Sequence, residues 1–232
     1  MLRLLTICLL VTALAAPAGA EILEHIVYTP TSLPSAQGWT FGSQNLDEDE
    51  VFSLQDGVLV MDTMGSPIDE TTWVTYTYQV PQHADAAGAV VRWRARVTAS
   101  EAQPHAYPQG FFFSGWPLAS WYNWYWFNLD SDRLYSSNLP IQELDATAWH
   151  DYLLTCTQVG GERDIELTVD GETVAYPPDS FSGALSGVVI FGDMGLDANA
   201  RVEIAEIEII VSTDAVPTQS ASLSSLRRRF DR

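Results

Sequence analysis

The sequence predicts an all-β fold in which two antiparallel sheets pack face to face. Short runs of alternating apolar and polar residues, the pattern of half-buried strands, recur along the chain and are separated by Gly, Pro, Asn and Asp. Asp56-Gly57 and Asp170-Gly171 each join two such runs. Asp-Gly favours a tight hairpin, because the turn requires positive φ. We find no stretch of ten or more residues with an apolar stripe at helical spacing, so a helical fold is excluded.

The first 20 residues have the organisation of a secretory signal peptide. Arg3 supplies the positive start, residues 4–15 form the apolar core, and Ala18-Gly19-Ala20 provides a small-residue cleavage site. The apolar core is shorter than the roughly 20 residues that a bilayer span requires. We therefore predict a secreted protein, either extracellular, periplasmic or associated with the cell surface, without membrane insertion.

Residues 21–212 suit a single sandwich domain made of many short strands. Strands are predicted at residues 51–54, 58–62, 73–80, 89–98, 110–114, 121–129, 134–136, 149–155, 165–169, 173–176, 187–191 and 202–211. In the last of these strands, Val202 and Ile204 are out of phase with the apolar residues from Ile207 onward. A β-bulge near Ala205-Glu206 would return them all to one face. Cys156, the one cysteine after the signal, is expected to be a small buried side chain.

Residues 213–232 are predicted to form a disordered tail. They combine Pro217 and several serines with Arg227-Arg228-Arg229, and they contain few large apolar residues. A proline followed by a terminal arginine cluster resembles bacterial sorting tails of the Pro-Glu-Pro type, although the hydrophobic span of those tails is missing. The alternative is a basic end that adheres to the acidic body or to an acidic envelope.

The domain is strongly acidic. Residues 21–213 contain 6 Arg, 28 Asp plus Glu and no Lys, which gives 6 − 28 = −22. Phosphate groups would be repelled, so nucleic acid and anionic membranes are excluded as partners. The charge is compatible with Ca2+, with cationic ligands or with life in salty water, and equally with a merely soluble exported surface.

An aromatic-rich stretch between residues 111 and 130 is the first candidate binding site. If residues 121–129 form one strand, one of its faces presents flat rings together with amide and carboxylate groups. Such a face suits a sugar, because rings stack on a pyranose and short polar groups bind its hydroxyls. The candidate residues are Trp116, Tyr122, Trp124, Trp126, Asn128 and Asp130. The alternative is that both faces of the strand are buried core.

Three alternating arginines, Arg92, Arg94 and Arg96, form the second candidate. They share one strand face, since Val91, Trp93, Ala95 and Val97 lie between and around them. Guanidinium groups recognise carboxylated or sulfated glycans. The alternative is pairing with acidic residues on neighbouring strands, such as Glu203, Glu206 or Glu166.

Calcium is the candidate metal. The residues singled out are Asp193, Asp197 and Asn199, and the other acidic loops are Asp47-Glu48-Asp49-Glu50 and Asp130 with Asp132. Ca2+ takes six to eight oxygen ligands, and none of these loops matches an EF-hand. His105 and His150 lack the spacing of a zinc site.

Several motifs together resemble a concanavalin A-like jelly roll of the laminin-G-like or family-16-glucanase-like variety. They are Trp149-His150-x-Tyr152, Val169-Asp170-Gly171, Gly187-Val188-Val189-Ile190-Phe191-Gly192 and the terminal strand, with Gly38-Trp39 and the residue 90–96 strand upstream. The resemblance spans residues 30–212 and implies a two-sheet antiparallel jelly-roll sandwich. It does not define the reaction, because this scaffold serves lectins, binding modules, hydrolases and lyases.

The catalytic signatures implied by that resemblance are missing. The Glu-x-Asp-x-x-Glu motif of the retaining glucanases occurs on no predicted strand, and the Tyr-Lys pattern of the alginate lyases needs a lysine. We therefore predict a lectin-like module that binds a polysaccharide or other glycan, anionic glycans included, on one face lined by aromatic rings and arginines. Two alternatives stay open: a glycoside hydrolase or polysaccharide lyase with an unrecognised site, and a structural surface protein that mediates protein contacts.

Overall fold

The protein folds as two antiparallel sheets packed into a sandwich, which confirms the predicted all-β jelly-roll architecture. The structure, a computed structural model, describes residues 21–67, 73–102, 111–118, 123–124, 126–136, 139–159, 162–174, 181–182, 187–193 and 198–214. The predicted signal peptide, Tyr122, Asp197 and the tail from residue 215 lie outside these ranges. The boundaries of the mature domain stay a prediction.

The first sheet has eight strands. They are β1 (Ile22–Tyr28), β3 (Phe52–Gln55), β4 (Val58–Asp62), β6 (Gly88–Ala102), β12 (His150–Val159), β13 (Glu162–Val169), β14 (Glu172–Thr173) and β17 (Ala198–Ser212). Their order is β14-β13-β12-β6-β17-β4-β3. β1 pairs with the second half of β17, whereas β4 pairs with the first half. The last strand therefore lies in the middle of the sheet.

The second sheet has seven strands. They are β2 (Thr40–Gln44), β5 (Trp73–Gln79), β7 (Phe111–Trp116), β9 (Trp126–Asp130), β10 (Arg133–Ser136), β11 (Leu139–Glu143) and β16 (Val188–Asp193). Their order is β11-β10-β9-β7-β16-β5-β2. Two further strands, β8 (Asn123–Trp124) and β15 (Phe181–Ser182), pair with each other in a separate small sheet beside β7.

The core between the two sheets is built around stacked aromatic rings. The ring of Trp93 on β6 lies 4.0 Å from the ring of Phe113 on β7, and the two planes are parallel within 1°. Trp93 also stacks on Tyr152 of β12, with the ring centroids 5.1 Å apart. Cys156 is fully buried, as expected, and burial raises the pKa of its thiol. This thiol is therefore a packing group.

The predicted turns and the predicted bulge are confirmed. Asp56-Gly57 joins β3 to β4, and Asp170-Gly171 joins β13 to β14, with positive φ at all four residues. On β17, Ile204 pairs with Ala95 and Glu206 pairs with Arg94, so Ala205 is the extra residue of a bulge. The apolar residues on both sides of it face the core, because the bulge changes the phase of the strand.

Three predictions of secondary structure differ from the structure. The strand predicted at 121–129 is divided between β8 and β9, which belong to different sheets. Asp47-Glu48-Asp49-Glu50, predicted as a loop, instead leads into the short helix α1 (Glu48–Val51). The carboxylate of Glu50 accepts the backbone N–H of Asp47 at 3.1 Å, a bond that stabilises the first turn of a helix. Strands β1, β2, β11 and β15 were not predicted.

Candidate functional site

The three arginines lie on the outer face of the eight-stranded sheet. Each of them is next to a carboxylate. Arg92 Nη1 is 3.1 Å from Glu208 Oε2, Arg94 Nη1 is 3.6 Å from Asp151 Oδ1, and Arg96 Nη2 is 2.7 Å from Glu203 Oε2. Two of the three guanidinium groups also lie over the ring of Trp149, at 5.8 Å for Arg94 and 5.0 Å for Arg96. The arginines are therefore part of a ladder of ion pairs across strands.

The aromatic-rich stretch lies in the other sheet. Phe127 and Leu129 of β9 point into the core, so Asn128 between them is on the outer face of the seven-stranded sheet. The two outer faces are on opposite sides of the sandwich. Asn128 therefore does not share a face with the three arginines as predicted, because β6 and β9 belong to different sheets.

The individual aromatic candidates are placed as follows. Trp116 pairs with Val188 of β16, Trp126 pairs with Ser114 of β7, and Trp124 belongs to β8, where it pairs with Phe181. Asp130 accepts hydrogen bonds from the hydroxyl of Ser100 on the opposite sheet and from the backbone N–H of Ser131. A role in glycan binding stays a prediction for these residues and for the arginines.

The calcium candidates do not converge in the part of the chain that the structure describes. Asp193 is buried on the core side of β16 and accepts a hydrogen bond from the hydroxyl of Thr63. Asn199 points away from the core residue Ala200 and donates its amide N–H to the carbonyl of Ser66 at 2.8 Å. The described residues contain no group of three or more His, Cys, Asp or Glu side chains that could hold a metal. Calcium binding stays a prediction.

A row of aligned residues crosses the outer face of the seven-stranded sheet, and those on the side of β2 and β5 are small or polar. The paired strands bring these residues into line: Gly42, Thr75, Gly192, Phe112, Asn128 and Tyr135. Two of the first three positions are glycines, so neither direct cross-strand neighbour of Thr75 has a side chain. At Gly192, φ is +154°, and an added Cβ would meet the carbonyl oxygen of Val74 at 2.1 Å. Only glycine fits there.

One tryptophan lies at the open end of this row. Trp73 begins β5 directly opposite Gln44 of β2, and its indole N–H donates to the side-chain oxygen of Gln44 at 3.0 Å. A Cβ at Gly42 would lie 3.2 Å from Cζ3 and 3.4 Å from Cη2 of Trp73. The six-membered ring of Trp73 thus lies across Gly42, in the space that the missing side chain leaves.

Hydroxyl and amide groups surround the Trp73 ring. Thr75 and Thr77 follow it on the same face of β5, since Val74 and Tyr76 between them are core residues. Trp73 and both threonines are half-buried, whereas Gln44 is exposed. We call this set of residues, Trp73, Gln44, Gly42, Thr75 and Thr77, the Trp73 shelf. None of its side chains is charged.

The row becomes buried toward β7 and β9. Phe112, Val188 and Ile190 form a small apolar cluster that is separate from the main core. Ser114, which pairs with Ile190, is buried, and its hydroxyl has no hydrogen-bond partner among the described residues. Asn128 is fully buried. The Trp73 shelf, on the side of β2 and β5, stays accessible on this face.

Sequence reasoning missed the Trp73 shelf, although part of the signal was present. In Trp73-Val74-Thr75-Tyr76-Thr77 a tryptophan and two threonines alternate with core residues. This alternation predicts that the three residues share one face of the strand. The partner strand β2 could not be predicted, because Thr40-Phe41-Gly42-Ser43-Gln44 is too polar and too glycine-rich to indicate a strand.

Comparison with known proteins supports the fold. No family model and no curated protein sequence matches this chain. Among solved structures, it is similar to a carbohydrate esterase of the Shiga toxin-encoding bacteriophage phi24B, with a TM-score of 0.54 and 15% identity over 83% of this chain and 99% of that one. That similarity defines a shared jelly-roll sandwich, consistent with the concanavalin A-like architecture.

Two further solved structures match with lower TM-scores. One is an endo-1,3-beta-glucanase from Streptomyces sioyaensis, with a TM-score of 0.45 and 13% identity over 86% of this chain and 99% of that one. The other is domain 4 of an extracellular arabinanase from Geobacillus stearothermophilus, with a TM-score of 0.48 and 12% identity over 87% and 97%. As for the membrane, the described residues include no helix with the length and apolar character of a bilayer span.

Proposed function

We propose that this protein is a glycan-binding module whose ligand lies on the Trp73 shelf and is uncharged. The observation that carries the proposal is the position of Trp73, whose ring lies across Gly42 with its N–H held by Gln44. A half-buried aromatic ring that is held in place offers a stacking surface for the apolar face of a sugar. Polar groups that can form hydrogen bonds with the hydroxyls of such a sugar lie next to the ring: the hydroxyls of Thr75 and Thr77 and the amide of Gln44.

The charge of the protein favours a neutral ligand. The shelf has no arginine, and the arginines of β6 lie on the opposite outer face next to carboxylates. The net charge of −22 over residues 21–213 would repel a polyuronate or a sulfated glycan. The shelf also has no carboxylate, whereas glycoside hydrolysis generally uses a pair of them about 5–9 Å apart. The proposal is therefore binding without bond cleavage.

The similarity in fold is compatible with this proposal. The phage protein that shares the sandwich is named as a carbohydrate esterase, so a protein with this architecture is associated with carbohydrate. The fold alone does not define a ligand, and the proposal depends on the shelf.

The test is a titration of tryptophan fluorescence with neutral oligosaccharides, including β-1,3-glucan and arabinan fragments, in parallel with oligouronates. We expect saturable binding of a neutral glycan that weakens at least tenfold in Trp73→Ala. Trp149→Ala is the matched control, because Trp149 is a half-buried tryptophan on the opposite outer face, and it should bind as the unmodified protein does. Binding that survives in Trp73→Ala, or that occurs only with oligouronates, would contradict the proposal.

A further inference from the structure

Two hairpin turns of the eight-stranded sheet have the same sequence and nearly the same backbone. Asp56-Gly57 and Asp170-Gly171 are both two-residue turns, with φ of 52° and 79° in the first and 53° and 86° in the second. All four residues are exposed, and an added Cβ at either glycine would meet no other residue within 4 Å. The two turns differ in the contacts of their aspartate side chains.

Both oxygens of the Asp170 carboxylate are hydrogen-bonded to β12. Oδ2 lies 2.7 Å from Nδ1 of His150, and Oδ1 accepts the backbone N–H of Asp151 at 3.0 Å. The imidazole of His150 is itself held on its other side, because Nε2 lies 2.8 Å from the carbonyl oxygen of Asp145. The backbone N–H of Asp170 also donates to the carbonyl of Asp151 at 2.9 Å. The side chain of Asp170 is therefore fixed against the neighbouring strand.

The carboxylate of Asp56 has no comparable support. Within the part of the chain that the structure describes, it makes no hydrogen bond and no ion pair. The adjacent Gln55 is engaged elsewhere, since its amide donates to the hydroxyl oxygen of Ser53 at 3.0 Å and its side-chain oxygen accepts from Arg201 at 3.3 Å. The side chain of Asp56 can therefore turn toward the nitrogen of Gly57 without breaking a contact.

An aspartic acid followed by glycine can close a five-membered succinimide ring. The backbone nitrogen of the glycine attacks Cγ of the aspartic acid, so that an N–Cγ bond forms, a Cγ–O bond breaks, and the hydroxyl leaves with the amide proton as water. Water then opens the ring. Opening at Cγ restores aspartate, whereas opening at the backbone carbonyl gives isoaspartate, whose main chain runs through Cβ and Cγ. Glycine favours the reaction because it has no side chain to obstruct its nitrogen.

We propose that Asp56 is a site of isoaspartate formation and that contacts with β12 protect Asp170 from the same reaction. Ring closure expels one carboxylate oxygen, so at Asp170 it breaks a hydrogen bond whichever oxygen leaves, whereas at Asp56 it breaks none. Isoaspartate adds one atom to the main chain of the turn between β3 and β4, and it should loosen the pairing of Leu54 with Leu59 beside that turn. The reaction involves no residue of the Trp73 shelf, so the proposal is independent of the proposed function.

Ageing of the folded full chain at mildly acidic pH, followed by peptide mapping, tests the proposal. Electron-transfer mass spectrometry locates isoaspartate at each turn, and synthetic peptides of residues 53–60 and 167–174 give the rates of the same sequences without the fold. We expect the two peptides to isomerise at similar rates, and the folded protein to form at least tenfold more isoaspartate at Asp56 than at Asp170. Similar amounts at the two sites, or none at Asp56 while its peptide reacts, would overturn the proposal.

A variant of His150 tests the protection directly. His150→Phe keeps a ring on β12 but removes the contact with the Asp170 carboxylate, so isoaspartate at Asp170 should rise severalfold while the amount at Asp56 stays the same. His25→Phe is the matched control, because His25 is a histidine of the same sheet that pairs with Glu208 instead, and it should change neither site. No rise at Asp170 in a folded His150→Phe variant would overturn the proposed protection. The comparison of the two turns in the unmodified chain holds even if this variant does not fold.

Discussion

Arg92 and Glu208 form an ion pair on the outer face of a sheet in which both side chains are almost completely buried. Arg92 Nη1 lies 3.1 Å from Glu208 Oε2, and the other carboxylate oxygen of Glu208 lies 2.9 Å from Nε2 of His25. Three strands, β6, β17 and β1, are thereby joined through one carboxylate. The neighbouring pair of Arg94 and Asp151 is longer, at 3.6 Å, and Asp151 is largely exposed.

Removing the acidic residue from each of these two ion pairs should change the free energy of unfolding by very different amounts. Glu208→Ala leaves the guanidinium of Arg92 buried without that carboxylate, so we expect a loss of about 3 kcal/mol in the free energy of unfolding. Asp151→Ala should cost less than about 1 kcal/mol, as usual for an exposed pair. Urea denaturation of both variants measures the difference. Equal effects would show that Glu208 contributes no more than a surface charge.

Gly192 and Gly65 provide a matched test of close strand packing. Both have positive φ, but an added Cβ at Gly192 would lie 2.1 Å from the carbonyl oxygen of Val74, whereas at Gly65 it would have no neighbour within 4 Å. Gly65→Ala should cost about 1 kcal/mol from backbone strain alone. Gly192→Ala should cost at least 3 kcal/mol or abolish folding, since β5 must move away from β16. Thermal unfolding followed by circular dichroism checks both values.

Buried tyrosines predict a loss of stability in alkali. Burial raises the pKa of Tyr28, Tyr76 and Tyr152 far above the ordinary value of about 10, and the carboxylate of Glu48 adds to the shift at Tyr76. When a group has a higher pKa in the folded state than in the unfolded state, its contribution to stability is complete at pH values below the unfolded-state pKa. The contribution is lost as the pH rises from there toward the folded-state pKa. The free energy of unfolding should therefore decline from about pH 10 upward.

Tyrosinate absorbance at 295 nm checks this expectation. Tyr28, Tyr76 and Tyr152 should ionise only together with the loss of tertiary structure in near-ultraviolet circular dichroism. Gradual ionisation of every tyrosine in a protein that stays folded would contradict it.

The bulge at Ala205 predicts that β17 tolerates a deletion at this point better than an insertion. Without Ala205, Ile204 is followed by Glu206 and Ile207 in regular alternation, so the apolar residues on both sides stay in the core. We expect the deletion variant to fold, with a loss of about 1–2 kcal/mol in the free energy of unfolding. One alanine inserted between Glu206 and Ile207 should instead prevent stable folding, because Ile207 would turn to the outer face and Glu208 would enter the core. Urea denaturation of both variants checks this, and a deletion variant that does not fold would contradict it.

The parts of the fold that could be predicted are those in which the signal is local. Asp170-Gly171 specifies its own turn, and the phase change between Ile204 and Ile207 marks the bulge without reference to other strands. By contrast, nothing near Arg92 or Asn128 says that β6 and β9 belong to opposite sheets, because strand order depends on contacts between distant segments. The Trp73 shelf was missed for the same reason. Trp73 is easily noticed in the sequence, but only the pairing of β2 with β5 shows that Gly42 and Gln44 lie next to it.

The position of β17 has a consequence for how the chain folds. This strand is the last one along the described chain, yet it lies at the centre of the eight-stranded sheet and pairs with β6, β4 and β1. Until it arrives, β1 has no partner and the two halves of the sheet stay apart. Such a high contact order predicts slow folding. A nascent chain on the ribosome therefore cannot complete this sheet before β17 has been synthesised.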